Sequence, residues 1–323
     1  MTTFKEIRGT AVQSVSSDPT NPEVGQIWYN NSIGVLKGYQ LVAGSWASGG
    51  NLNTARYNLA GAGTQTLGLA FGGYDFPADV LKNATEEYNG STWTNGGNMG
   101  TARRELGGCG TQTAGLAIGG YTTTNVANTE EYDGSAWTGG GNLATARRGL
   151  GAAGTQTSGL GFGGVTTVVS AATEEYDGSA WTAGGNMGTA RRLLAGCGTQ
   201  TAALGFGGYT TVNLANTEEY DGSAWTAGGN LNTARKILGG AGTQTAGLGF
   251  GGYTTANTGA TEEYNGTSWT NSTSMATARR DFASGGTQTA AFGAGGYITA
   301  ITAATEEYTG SFFTAKTITT STT

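Results

Sequence analysis

The chain has 323 residues, with 60 glycines, three prolines, 12% charged residues and a net charge of −6. A charge this sparse and acidic offers no basic footprint for phosphate backbones, which excludes nucleic acid as the expected partner, and it leaves no highly charged disordered tail. No apolar run is long enough to cross a membrane as a helix, and the opening MTTFKEIRGT lacks the apolar core of a secretion signal.

Residues 1–23 show no periodicity and end in DPTNPE, where Pro19 and Pro22 break regular structure. They read as an extended arm. Gly25–Asn30, then Val35–Tyr39 and Leu41–Trp46, read as three short strands. Three strands suffice for a small sheet. Residues 1–50 are therefore expected to form an arm and small β module for attachment or oligomerisation, with Trp28, Tyr29 and Trp46 as its contact residues.

From residue 51 the chain repeats itself six times. Each copy carries a TAR step, a GTQT, a Gly-Gly, a TEEY and an aromatic in that order. Arg56 and Arg103 are 47 apart, and Arg103, Arg147, Arg191, Arg235 and Arg279 follow at intervals of 44. A period of this length suits a four-stranded propeller blade. In the second copy the strands are expected at Glu105–Gly110, Ala114–Gly119, Thr129–Tyr132 and Ser135–Thr138. Asp133-Gly134 reads as a two-residue hairpin turn. The last copy ends on Phe313 where the others have tryptophan, and Trp46 sits one period before Trp93. The leader is expected either to supply the strand that completes the last blade or to build a partial seventh one. Six blades, spanning 51–323, are the favoured count.

Of the 22 acidic residues, 12 are the TEEY glutamate pairs, and of the 16 basic ones, 11 lie in the TAR steps. Both sets fall at the same end of a blade. They are expected to form a structural ring of ion pairs between blades, carried by Arg103, Arg147, Arg191, Arg235 and Arg279 with Glu130, Glu174, Glu218 and Glu262. Exposed pairs of this kind would each contribute about 0–1 kcal/mol. Cys109 and Cys197 occupy a slot that takes alanine or glycine elsewhere, so they read as free, packed thiols.

The Gly-Gly closing an apolar strand (Gly119-Gly120, Gly207-Gly208, Gly251-Gly252), the later Tyr132, Tyr220 and Tyr264, and the Trp137, Trp225 and Trp269 after a turn resemble kelch repeats in their order. The resemblance covers about 51–314 and implies a six-bladed kelch-type β-propeller. A second resemblance lies in the leader, where Gly25, Ile27, Trp28, Tyr29, Asn30, Gly34, Leu36 and Lys37 are similar to a short module of tailed-bacteriophage virion proteins. It implies a virion component: a tail-fibre, receptor-binding or capsid-decorating protein. Such a protein would meet other virion proteins through its N-terminal segment, form homo-oligomers and contact host-surface glycan. The alternative is a cellular kelch-type scaffold or adhesion module.

Enzymatic readings are weaker. The chain has no histidine, which removes imidazole metal sites, histidine bases and the common nucleophile systems; the copper centre of the galactose oxidase relatives of kelch propellers goes with them. No cofactor or metal is expected. With the four strands of a copy lettered a to d in chain order, Asp75 and Asp79, in the first b–c loop, are the pair a carbohydrate-active enzyme would use. The b–c loops vary between copies, and variable loops on a rigid frame are where binding concentrates. Asp75, Phe76, Tyr121, Tyr209, Tyr253 and Tyr297 are the candidate binding residues, the tyrosines offering ring faces for sugar stacking.

Overall fold

The computed structural model describes residues 12–318, and all regular structure among them is β. Residues 1–11 of the expected arm and 319–323 of the expected propeller domain lie outside the described residues. The strands form seven four-stranded sheets and one two-stranded hairpin. They divide between two units, Met1–Gly44 with Ser311–Thr323, and Ser45–Gly310.

The small unit is one sheet ordered Gln13–Val15, Ile27–Asn30, Val35–Val42 and Phe312–Thr317. Part of the expected arm is therefore a strand, paired parallel to Ile27–Asn30 in the register Gln13↔Trp28. The two strands expected after Val35 are instead one long strand to Val42, whose partner is the C-terminal Phe312–Thr317. Asp18 organises this sheet. It accepts hydrogen bonds from Trp28 Nε1 at 3.1 Å and Asn30 Nδ2 at 2.9 Å, and pairs with Lys37 Nζ at 2.5 Å. The Lys37 bond, followed by those of Asn30 and Trp28, pulls the Asp18 carboxyl down to about 2.

In the large unit, six four-stranded antiparallel sheets repeat in a propeller-like arrangement. The second copy runs Gly107–Thr111, Ala114–Ile118, Thr129–Tyr132 and Trp137–Gly139. Glycine permits both the turns and the approach of neighbouring sheets. Gly110 has φ +98°, and a Cβ there would stand 2.2 Å from the Ala114 carbonyl oxygen. A Cβ on Gly196 would stand 2.6 Å from the Ala152 carbonyl oxygen of the preceding sheet. The third-to-fourth strand connection is a four-residue loop and not the expected two-residue turn. Only Gly134 has positive φ, and the Asp133 carboxylate closes the loop by accepting from Ser135 N and Ala136 N at 2.8 Å each.

The fourth strand of the last sheet comes from the other end of the unit. Ser45–Ser48 pairs with Thr305–Thr309 in the register Tyr308↔Trp46, matching Tyr88↔Trp93 and Tyr132↔Trp137 elsewhere. The leader therefore supplies this outer strand, while Phe312 and Phe313 leave for the small sheet. Trp46 takes the place of the repeat tryptophan in this sheet.

The GTQT, TEEY and aromatic words common to all copies make contacts between adjacent sheets. Gln112 Nε2 donates to Gly68 O at 3.0 Å and Tyr88 O at 2.6 Å, and Gln65 does the same to Ala291 and Tyr308. Trp137 Nε1 donates to Thr85 Oγ1 at 2.8 Å, Trp93 to Thr305 at 3.0 Å, and Trp46 to Thr261 at 3.1 Å. The TEEY tyrosine donates to the second glutamate of the preceding copy: Tyr176 to Glu131 at 2.5 Å, Tyr264 to Glu219 at 2.6 Å, and Tyr88 to Glu307. Each series runs through all six sheets and comes back to its start. The tryptophan and tyrosine rings complete the layer by tilting against each other, as Tyr132 and Trp137 do at 5.0 Å.

Candidate functional site

The ion pairs differ from expectation in place and burial. Each joins the TAR arginine to the first TEEY glutamate of its own copy, and every one of the six arginines is buried to 1% exposure or less. Separations are 3.0 Å for Arg147–Glu174, 2.7 Å for Arg191–Glu218, 2.5 Å for Arg235–Glu262 and 2.6 Å for Arg279–Glu306, with Arg103–Glu130 and Arg56–Glu86 completing the set. The guanidinium also donates to backbone, as Arg147 Nη1 does to Ala172 O at 2.7 Å. The glutamate reaches the loop before the TAR step, accepting from Gly188 N at 2.6 Å in the Glu218 case. Burial lowers the arginine pKa values, that of Arg56 to about 10, while the neighbouring glutamate opposes the shift. The carboxylates that bridge sheets are instead those of the Tyr–Glu bonds, in which burial and the carboxylate hold Tyr176 up at about 12 as a permanent donor.

One residue further on, the second base of the TAR step meets the tyrosines that open the b–c loops. Arg104 lies 4.5 Å from the Tyr74 centroid and 5.2 Å from that of Tyr121; Arg148 lies 4.3 Å from Tyr121. Lys236 Nζ lies 3.8 Å from Tyr209, and Arg280 lies 4.8 Å from Tyr253 and 4.7 Å from Tyr297. Tyr57 joins the two ends, 5.6 Å from Tyr74 and 5.9 Å from Tyr297. Cations and neighbouring rings thus already cover the faces expected to stack sugars. The ladder has one gap, at Val165, where the third copy has no tyrosine.

The residue after that base forms the mouth of a central cavity. Asn58, Glu105, Gly149, Leu193, Ile237 and Asp281 all have φ between +53° and +60°. Each backbone N–H donates to the carbonyl of its counterpart in the preceding copy, from Leu193 to Gly149 at 2.7 Å through Asp281 to Ile237 at 3.3 Å, and Asn58 returns to Asp281 at 2.9 Å. Glu105 was expected at the head of a strand; the strand starts at Gly107, which frees Glu105 for this position. Three neighbouring positions, Asp281, Asn58 and Glu105, are polar, and the other three are Gly149, Leu193 and Ile237. Alignment of the six copies contains the signal for this site, because this position differs in every copy while its neighbours hardly vary.

A cavity of about 350 Å³ opens here, with Arg148, Arg192, Lys236 and Arg280 set against Glu105 and Asp281. Arg148 Nε lies 3.3 Å from Glu105, and Arg280 Nε lies 3.4 Å from Asp281. Burial pushes the Asp281 carboxyl up to about 7 against the pull of Arg280. Below the mouth a narrower space of about 110 Å³ is lined by the glycines, alanines and two cysteines of the first strands. Cys109 and Cys197 are free and buried, and burial pushes both thiols up to about 12.

The remaining expected residues lie elsewhere. Asp75 pairs with Lys82 at 3.0 Å and Asp79 accepts from the Tyr74 hydroxyl, so both carboxylates have partners within their own hairpin. Phe76, at its tip, is 54% exposed. Trp28 is fully buried in the small sheet, whereas Tyr29 is 41% exposed. Among the described residues no three metal-binding side chains cluster, and no helix is long and apolar enough to cross a membrane. Neither a protein-family model nor a curated protein sequence matches the chain.

Proposed function

We propose that this protein is a non-enzymatic component of a tailed-phage virion, a tail-fibre, receptor-binding or capsid-decorating protein. Its repeats would form a closed six-bladed kelch-type propeller. Support for closure comes from the tyrosine, tryptophan, glutamine and mouth hydrogen bonds, each of which passes from sheet to sheet and back to the first. Support for a binding role comes from the mouth, which gathers six dissimilar side chains on an otherwise repetitive frame.

The observation that carries the attachment role is the surface of the small unit. Of the 13 large apolar side chains that are well exposed among the described residues, eight belong to it: Val12, Val24, Tyr29, Ile33, Leu41, Phe312, Phe313 and Ile318. Exposed apolar side chains gathered in one small unit support an interaction role. Phe313, one of the eight, stacks on Tyr39 at 5.6 Å. The surface suits other virion proteins or a second copy of the chain, while the mouth and b–c loops are left for host-surface glycan.

Antibody labelling of particles in electron micrographs tests this reading. Label on intact particles is the expected result, at the distal tail for a receptor-binding protein and over the head for a decorating one. Charged substitutions at Leu41, Phe312 and Phe313 should remove the label and leave the large unit folded. Particles that never take label from a working antibody would overturn the virion assignment.

A further inference from the structure

We infer that the cavity mouth at Arg192 and Lys236 binds the carboxylate of an acidic sugar, an inference that rests on the reading of the loop face as the binding face. The four cations and two carboxylates at the mouth leave an excess of two positive charges in a chain of net charge −6. Glu105 and Asp281 are engaged by Arg148 and Arg280. Arg192 and Lys236 pair with no carboxylate among the described residues.

These two cations flank one ring. The Arg192 guanidinium lies 5.6 Å and the Lys236 ammonium 3.8 Å from the Tyr209 centroid. Burial, followed by the charges of Arg192 and Arg280, lowers the Lys236 pKa. Bound anion charge between them would relieve that repulsion, and the low-dielectric walls of a cavity strengthen the attraction. Arg104, Lys236 and Arg280 each lie between two tyrosines, but Arg192 has only Tyr209, because its other neighbour is Val165.

The rest of the mouth suits a sugar ring better than a bare anion. Leu193 and Ile237 give an apolar wall for the C–H face of a pyranose, and Asn58 and Glu105 stand across from it as hydroxyl partners. The volume of about 350 Å³ lies at the low end for small-molecule sites and accommodates one or two sugar rings.

Calorimetric titration of the full chain with glucuronate, glucose and inorganic phosphate tests the site, with folding of each variant checked by thermal melting. Glucuronate is expected to bind at least about tenfold more tightly than glucose or phosphate, and more weakly as salt is raised. Arg192→Gln and Lys236→Gln should each weaken it by about tenfold or more. Lys236→Arg, which restores the residue found in four other copies, should keep affinity within about threefold. Phosphate binding equal to glucuronate would reduce the site to a bare anion site and overturn the sugar assignment. Glucuronate binding that is absent, or indifferent to both glutamine variants, would overturn the site itself. A glycan array run alongside separates the two readings: neutral glycans alone would leave the binding face standing and remove this inference, and silence from every glycan would remove both.

Discussion

A buried guanidinium has few ways to be tolerated, and Arg103 uses a carboxylate and a backbone carbonyl together. The exposed-pair figure of about 0–1 kcal/mol therefore does not apply. Removing one partner from a buried pair leaves an uncompensated charge and costs about 3–5 kcal/mol. Glu130→Gln is expected to destabilise by that amount in urea denaturation, whereas replacing Arg103 and Glu130 together by apolar residues of similar volume should cost far less. Asp281 gives a pH signature of known sign. Its folded carboxyl titrates near 7 and its unfolded one near 3.8, so the folded state holds a proton that the unfolded state releases. The associated stability is fully present below the unfolded value and is lost as pH rises through about 7. Asp281→Asn should flatten the fall in melting temperature over that window; an unchanged slope would contradict the burial of this group. What the six copies share was legible, because the shared residues either join sheets or pair within one. Glu105 and Asp281 were not, because their meaning lies in a left-handed backbone conformation that neither residue type announces.

The strand Ser45–Ser48 shows how far spacing carries at the level of elements. The 47-residue interval from Trp46 to Trp93 already pointed to an aromatic fourth strand in the leader, but spacing alone left its partner open. The Trp46–Thr261 bond and the tilted packing of Trp46 on Phe250 and Tyr308, at 5.0 and 5.1 Å, give it the same kind of surroundings as Trp137, Trp225 and Trp269. Trp46→Ala should therefore cost about 3–5 kcal/mol, the same as Trp137→Ala. Equal shifts of the two denaturation midpoints check this, and a silent Trp46 variant would mean that the sixth sheet does not need its outer strand. Deleting Ser45–Ser48 would uncover an edge on Thr305–Thr309 and invite aggregation. The small sheet was harder to read from sequence, since one of its strands lies about 270 residues downstream of its partner.

For the large unit as a whole, contacts that pass through every sheet predict unfolding in one step instead of repeat by repeat. Cys109 and Cys197 provide probes two copies apart. With thiols near 12 and packed against neighbouring strands, both should react slowly with a disulfide reagent in the native state. Across a urea series, their labelling should rise together and coincide with loss of the β signal. Separate transitions would show that the sheets open independently.

The pairing of Ser45–Ser48 with Thr305–Thr309 also sets a timetable for synthesis. The outer strand of the sixth sheet leaves the ribosome first and must wait for its partner, some 260 residues later, which at about 5–20 residues per second is roughly ten seconds to a minute. Throughout that interval five sheets can assemble in order while the ends of the array keep unpaired edges, so the nascent chain is most exposed to mispairing with its neighbours on a polysome just before the clasp closes.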